Sequence, residues 1–149
     1  MLLYAIRADS KALTRRLFEE WSKEKMAAMA VADELCATNI VLHSANGIDI
    51  RGLKDLKQFV GALCDAFPDV HFTIDDVAAE GDKVAVRYTW TGTNKGGFMG
   101  IPPTNKKVTI WEIQMARVVG GKMVEVWSRS DNMGIMQQLG VMPTLGMEK

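Results

Sequence analysis

Glycine-rich phosphate loops are missing from this sequence. Neither GxGxxG nor GxxxxGK[ST] occurs, so a nucleotide cradled at a helix N-terminus is not expected. Metal-ligand spacing is missing as well: His43 and His71 stand alone, with no His-x-His or HExxH pattern, and Cys36 and Cys64 form no CxxC. That set excludes the common protein-built transition-metal sites. Both cysteines fall in stretches with helical periodicity and are expected there as buried thiols rather than as a disulfide. An excess of one charge is absent too. Lys+Arg and Asp+Glu balance at 18 each, and the densest basic cluster is the pair Lys106-Lys107. Such a chain has no electrostatic reason to seek nucleic acid or anionic lipid. Finally there is no long apolar run. The stretch Met1 to Ile6 is followed at once by Arg7 and Asp9, too short for a signal peptide or a membrane span. Those residues are expected to pack onto the domain, and the protein is expected to be cytoplasmic.

What is present suits one domain over residues 1–149, with 48% apolar and 24% charged residues around one hydrophobic core. With Ser10 as N-cap, Leu13, Leu17 and Trp21 recur at spacing four, which predicts an amphipathic helix. Lys23 to Lys25 interrupt it, and a second helix runs through Met26, Met29, Ala30 and Leu35 to about Cys36. Asn39 to His43 reads as a short strand, and residues 44–51 as a polar turn around Asn46-Gly47. Leu53, Leu56, Phe59, Val60, Leu63, Cys64 and Phe67 fit a third helix, which Pro68 ends.

The period then changes to two. Val70, Phe72 and Ile74 alternate with polar residues, and after the turn at Glu80-Gly81-Asp82 the residues Val84, Val86, Tyr88 and Trp90 share one strand face. A long loop at 92–106 precedes strands at 107–118 and 122–130, joined at Gly120-Gly121, and 131–139 can turn once more as a short helix. Helices first and then an antiparallel meander predict an α+β fold, with the helices on one face of a curved sheet. A sheet wrapped around helices leaves room for a small-molecule pocket.

The second half carries AFPDVHFTIDDV at 66–77 and EGDKVAVRYTWTGTNKGGFMGIPPTNKKV at 80–108. Arg117, GGKMVEVW at 120–127, Asp131 and QQLG at 137–140 follow, while RGLKDLKQFV at 51–60 and His43 stand ahead of them. The ordered set, spanning His43 to Gly140, resembles the SnoaL-like polyketide cyclases of the NTF2-like superfamily. The resemblance implies a cone-shaped fold, a homodimer or larger assembly, no metal and no organic cofactor. It also implies a small hydrophobic, polycyclic ligand and an aspartate acting as general acid/base in an aldol-type ring closure. That aspartate falls on Asp131.

Glu125, Trp127, Arg129 and Asp131 alternate along the last strand and share one face, which is either a solvated outer face or a pocket wall. The resemblance favours the wall, with Asp131 in an apolar cavity whose burial would raise its pKa. His43 is placed to orient that acid or to donate to a carbonyl oxygen, and is equally readable as a histidine bonded at a strand end. Tyr88 can donate to a developing enolate or serve as a core aromatic. Trp90, Trp111, Phe98 and Met99 are candidate walls for a flat ligand, or ordinary core and loop anchors. Asn94 stands where many relatives carry histidine, and Arg117 matches the family.

Two other enzyme chemistries and a binding role compete with the cyclase-like reading. An epoxide hydrolase-like group would combine Arg129 and Asp131 with a second acid, Glu112 or Glu125. A ketosteroid isomerase-like proton shuttle would combine Asp131 with Tyr88. A non-catalytic small-ligand-binding domain would leave Asp131 exposed or the pocket filled.

Overall fold

The computed structural model describes residues 2–44 and 48–143, with the side chains of residues 2–9 outside that description. The expected turn at Asn46-Gly47 therefore lies outside the described residues. Ten elements follow in order: α1 (Leu2–Trp21), α2 (Lys25–Leu35), β1 (Cys36–His43), β2 (Asp49–Arg51), α3 (Leu53–Ala66), β3 (His71–Glu80), β4 (Lys83–Thr93), β5 (Lys107–Val119), β6 (Lys122–Ser130) and α4 (Asn132–Gln138). Ser10 is not an N-cap. The helix begins at Leu2, and Ser10 sits inside it, fully buried, its carbonyl accepting from the Thr14 hydroxyl at 2.8 Å. Cys36 is likewise not helical. It leaves α2 directly into extended backbone (φ −111°, ψ 139°), so β1 starts three residues earlier than its β-branched core suggests.

The six strands form one sheet in the order β2-β1-β6-β5-β4-β3. The expected antiparallel meander holds from β3 through β6, but β1 joins the sheet parallel to β6, and β2 folds back antiparallel on β1. The sheet is therefore mixed. α1 packs against β3 and β4, α3 against β1 and β2, and α2 bridges the two helices, so one sheet face is covered. Residues alternating along β4 supply that face: Val84, Val86, Tyr88 and Trp90 are all buried. They divide between two core clusters. One gathers Leu17, Val31, Ile40, Val60 and Met123; the other gathers Phe18, Phe67, Trp90, Ile110 and Leu139.

Among the described residues, three register shifts interrupt the sheet, one of them in the parallel β1–β6 pairing between Cys36 and Val41. The β3–β4 register shifts between Ile74 and Asp76, and the β5–β6 register shifts beside Arg117. In the β5–β6 shift, Val118 pairs with Met123 but Arg117 pairs with Glu125, so Val124 is an extra residue on β6. A bulge of this kind increases local twist and reverses which residues of the strand face the core beyond it.

Candidate active site

A cavity of about 320 Å3 lies between α3 and the covered sheet face. α3 presents Leu56, Phe59, Val60 and Leu63 to it, following the helical spacing that gave this segment its apolar stripe. Phe59 and Met99 are also exposed to solvent, so the mouth opens between them. The loop carrying Met99 is held by Asn94. This side chain is fully buried; its oxygen accepts from the Thr104 N–H and hydroxyl, both at 2.9 Å, and its amide donates to the Gly96 carbonyl at 2.7 Å. Asn94 is thus the clamp that shapes the rim. Phe98 packs edge-on against Phe67 from the same loop, at 5.2 Å between ring centroids.

The sheet side of the cavity is polar along one line. Glu112 is the one charged side chain on the wall among the described residues. Its Oε2 accepts from the Tyr88 hydroxyl at 2.5 Å, and its Oε1 accepts from the Trp90 indole N–H at 2.8 Å. Register brings these groups together: Tyr88 pairs with Glu112 across β4–β5, and Glu112 pairs with Ser130 across β5–β6. Gln114, Ser128, Ser130 and Asn132 continue the line. Burial, then the neighbouring Glu112 charge and its hydrogen bond, hold the Tyr88 hydroxyl well above the usual phenol range. Near neutral pH Tyr88 is therefore a neutral donor. A carboxylate has about four acceptor positions, so two donors leave part of Glu112 free to take a proton from a bound molecule.

Of the residues expected at the site, Tyr88, Trp90, Phe98 and Met99 line the cavity. Asp131, His43, Trp127, Arg129 and Trp111 do not. Asp131 is exposed, and its Oδ1 accepts from the Gly134 N–H at 2.9 Å as the N-cap of α4. Any side chain at position 134 would collide with that carboxylate, so glycine there permits the cap. His43 lies on the outer sheet face, its Nε2 2.8 Å from Glu125 and its Nδ1 3.1 Å from Asp49. Hydrogen bonds to Glu125 and then Asp49 raise its pKa above the ordinary histidine value, and the same bond lowers that of Glu125. Trp127 stacks on the His43 ring with centroids 5.5 Å apart. Arg129 is exposed and donates to the backbone carbonyl of Ser128 at 2.8 Å. Trp111 is 56% exposed. The epoxide hydrolase-like group is not assembled, because Arg129 and Glu112 point to opposite sides of the sheet.

The reversal follows from the Val124 bulge. Counting back from Val119–Lys122 without it would place Trp127 opposite Gln114 and Arg129 opposite Glu112, on the cavity face. The extra residue puts Ser128 and Ser130 there instead. Glu112 and Gln114 share the face of Tyr88 and Trp90, and two polar residues alternating with Trp111 and Ile113 are the signal that could have marked them.

The remaining ionisable groups near the cavity are thiols. Burial pushes Cys36 up to about 11 and also raises Cys64, so both stay protonated and unreactive. Among the described residues no group of His, Cys, Asp and Glu is arranged to hold a metal ion, and no helix is long and apolar enough to cross a membrane.

The profile of the SnoaL-like polyketide cyclases matches residues 11–139. Among solved structures the chain is similar to a candidate SnoaL-like polyketide cyclase of Jannaschia sp. CCS1, with 22% identity, a TM-score of 0.85, and 93% of this chain and 96% of that one covered. It is also similar to AclR, a candidate hydroxylase of Streptomyces galilaeus, with 28% identity, TM-score 0.81, and coverage of 92% and 99%. IdmH, a candidate polyketide cyclase of Streptomyces antibioticus, shows 29% identity, TM-score 0.75, and coverage of 88% and 98%. No curated protein matches the sequence significantly. The fold is the α+β cone of the NTF2-like proteins.

Proposed function

The chain belongs to the SnoaL-like polyketide cyclase family, and from that premise we propose that it is a proton-transfer enzyme acting, without a cofactor, on an enolisable hydrophobic molecule held in the cavity. The acid/base role expected of Asp131 passes in this reading to Glu112. The observation that carries it is a single carboxylate on a wall otherwise uncharged among the described residues, with each oxygen fixed by one donor.

The step balances without a co-reactant. Glu112 takes the proton from the carbon next to a ketone, and the C–H electron pair becomes the C=C bond of an enolate. The enolate carbon then attacks a second carbonyl of the same molecule, and the resulting alkoxide recovers the proton from Glu112. Without an internal electrophile the enolate is simply reprotonated. A positioned general base of this kind contributes about 10²- to 10⁴-fold. The test is deuterium exchange at the activated carbon of β-tetralone, a two-ring ketone, followed by NMR in D2O. The protein should accelerate exchange, and Glu112→Gln should lower it by at least about 100-fold. Exchange no faster than in buffer, or undiminished in the variant, contradicts the reading and favours a binding domain.

We also read the outer face as the contact between two copies. Trp111, Ile113 and Met115 are 56%, 49% and 43% exposed on consecutive outward positions of β5. An apolar patch in mid-sheet, flanked by Arg117, Glu125 and Arg129, fits an isologous dimer in which like strands meet across a two-fold axis.

A further inference from the structure

Gln114 lines the cavity with only 5% of its surface accessible, and its amide makes no side-chain hydrogen bond to the described residues, which leaves it open toward the cavity space. The Ser130 hydroxyl, on the same wall, is buried and has no partner among the described residues. Native interiors leave few polar side chains in this condition, and each such group asks for an explanation. Glu112 is different: its oxygens are already engaged by Tyr88 and Trp90. The wall therefore has one organised polar point and several that are waiting: Gln114 one strand repeat further along β5, the Ser130 hydroxyl on β6, and the buried, unpaired indole N–H of Trp21 on the helix side.

We propose that Gln114 is a specificity-determining anchor that binds a second oxygen of the ligand, a hydroxyl or carbonyl roughly 7 Å from the atom at Glu112, two residues along an extended strand. This rests on the cavity being the working site. An amide offers both a donor and an acceptor, so it suits either oxygen function. Ser130 stands across β6 from Glu112 and adds a hydroxyl to the same line. The facing wall, from α3, is apolar. The ligand is thus flat or compact, with its oxygens along one edge.

Size narrows the class further. A dry apolar cavity of about 150 Å3 holds one benzene ring. The cavity here, at about 320 Å3, is roughly twice that. That volume accommodates about two rings, so the ligand portion held between Glu112 and Gln114 is a two-ring unit with oxygens at opposite ends.

Calorimetric titration of the full chain tests this with three probes: a naphthalenediol with hydroxyls at opposite ends, β-naphthol with one, and hydroxypyrene with four fused rings. The diol should bind about tenfold tighter than β-naphthol, the worth of one well-placed neutral hydrogen bond. Hydroxypyrene should bind more weakly than either. Gln114→Leu should bring the diol to the level of β-naphthol while leaving β-naphthol itself nearly unchanged; Gln114→Met, closer in shape, serves should the leucine variant not fold. Equal binding of diol and β-naphthol by the wild type, a diol preference that survives both substitutions, no binding of any probe, or hydroxypyrene binding as tightly as the diol each overturns the proposal. Deuterium exchange at Glu112 is read separately. Exchange that persists while the diol preference is absent removes the anchor and leaves the proton-transfer reading in place. Loss of exchange with the preference intact does the reverse.

Discussion

The two faces of β5 and β6 carry opposite kinds of residue from those a simple core rule assigns. Inside, Glu112, Gln114, Ser128 and Ser130 line the cavity; outside, Trp111, Ile113 and Met115 are exposed and Trp127 is half-buried. Along the same strands a single residue step separates a polar interior from an aromatic exterior. The difference teaches that polarity alone does not locate a face. An enclosed site needs groups that hydrogen-bond a ligand, and an outer face that meets another copy needs apolar ones.

The most drastic way to break the comparison is to remove the residue that sets it. Deleting Val124 would turn Glu125, Trp127 and Arg129 toward the core and Val126, Ser128 and Ser130 outward. Burying those charges is costly enough that the deletion variant should show no cooperative unfolding transition by circular dichroism. A folded variant of normal stability would show that the bulge does not define the two faces.

A milder version truncates one aromatic on each side. Phe18 is fully buried, with ring contacts to Trp21, Phe72 and Tyr88. Phe18→Ala should cost about 3–5 kcal/mol in urea unfolding. Trp111→Ala should change the stability of the dilute monomer by no more than about 0.5 kcal/mol. It should nonetheless shift the sedimentation profile from dimer toward monomer. An unchanged profile would remove the outer face as the contact between copies.

The smallest effect concerns His43 and Glu125. The raised histidine pKa contributes stability that is present below the unfolded value near 6.5 and is lost as pH rises through the folded one. The lowered Glu125 pKa contributes stability that is present above the unfolded value near 4.5 and is lost as pH falls through the folded one. The pair is therefore best between those two limits. Both groups are partly open to solvent, so the gain is small. Urea midpoints of the wild type and His43→Gln should differ most in that window and converge on the alkaline side.

Much of this fold was legible in the sequence. The amphipathic spacing of Leu53 to Phe67 gave α3, and the alternation from Val84 to Trp90 gave a strand with one buried face; both stand in the structure. The parallel entry of β1 was not legible, because strand pairing is a long-range choice that local periodicity does not encode. Tyr88 and Trp90 line the cavity because they share the buried face of β4 that the alternation marks, and Phe98 and Met99 because their loop lies at the mouth. The period of two put Trp127, Arg129 and Asp131 on one shared face, and the family resemblance chose the cavity wall for that face; the bulge at Val124, which neither signal contains, turns it outward. Asp131 also has a local use that its motif position hides: with Gly134 three residues on, it starts α4.

The central claim is that the working carboxylate is Glu112 inside the cone rather than Asp131 at its rim. Deuterium exchange of β-tetralone by Asp131→Asn, run beside Glu112→Gln, tests it most directly, because asparagine preserves a helix cap while removing the acid. The account predicts that Asp131→Asn exchanges within about threefold of the wild type, while Glu112→Gln loses at least about 100-fold. Exchange abolished in Asp131→Asn and retained in Glu112→Gln would contradict it.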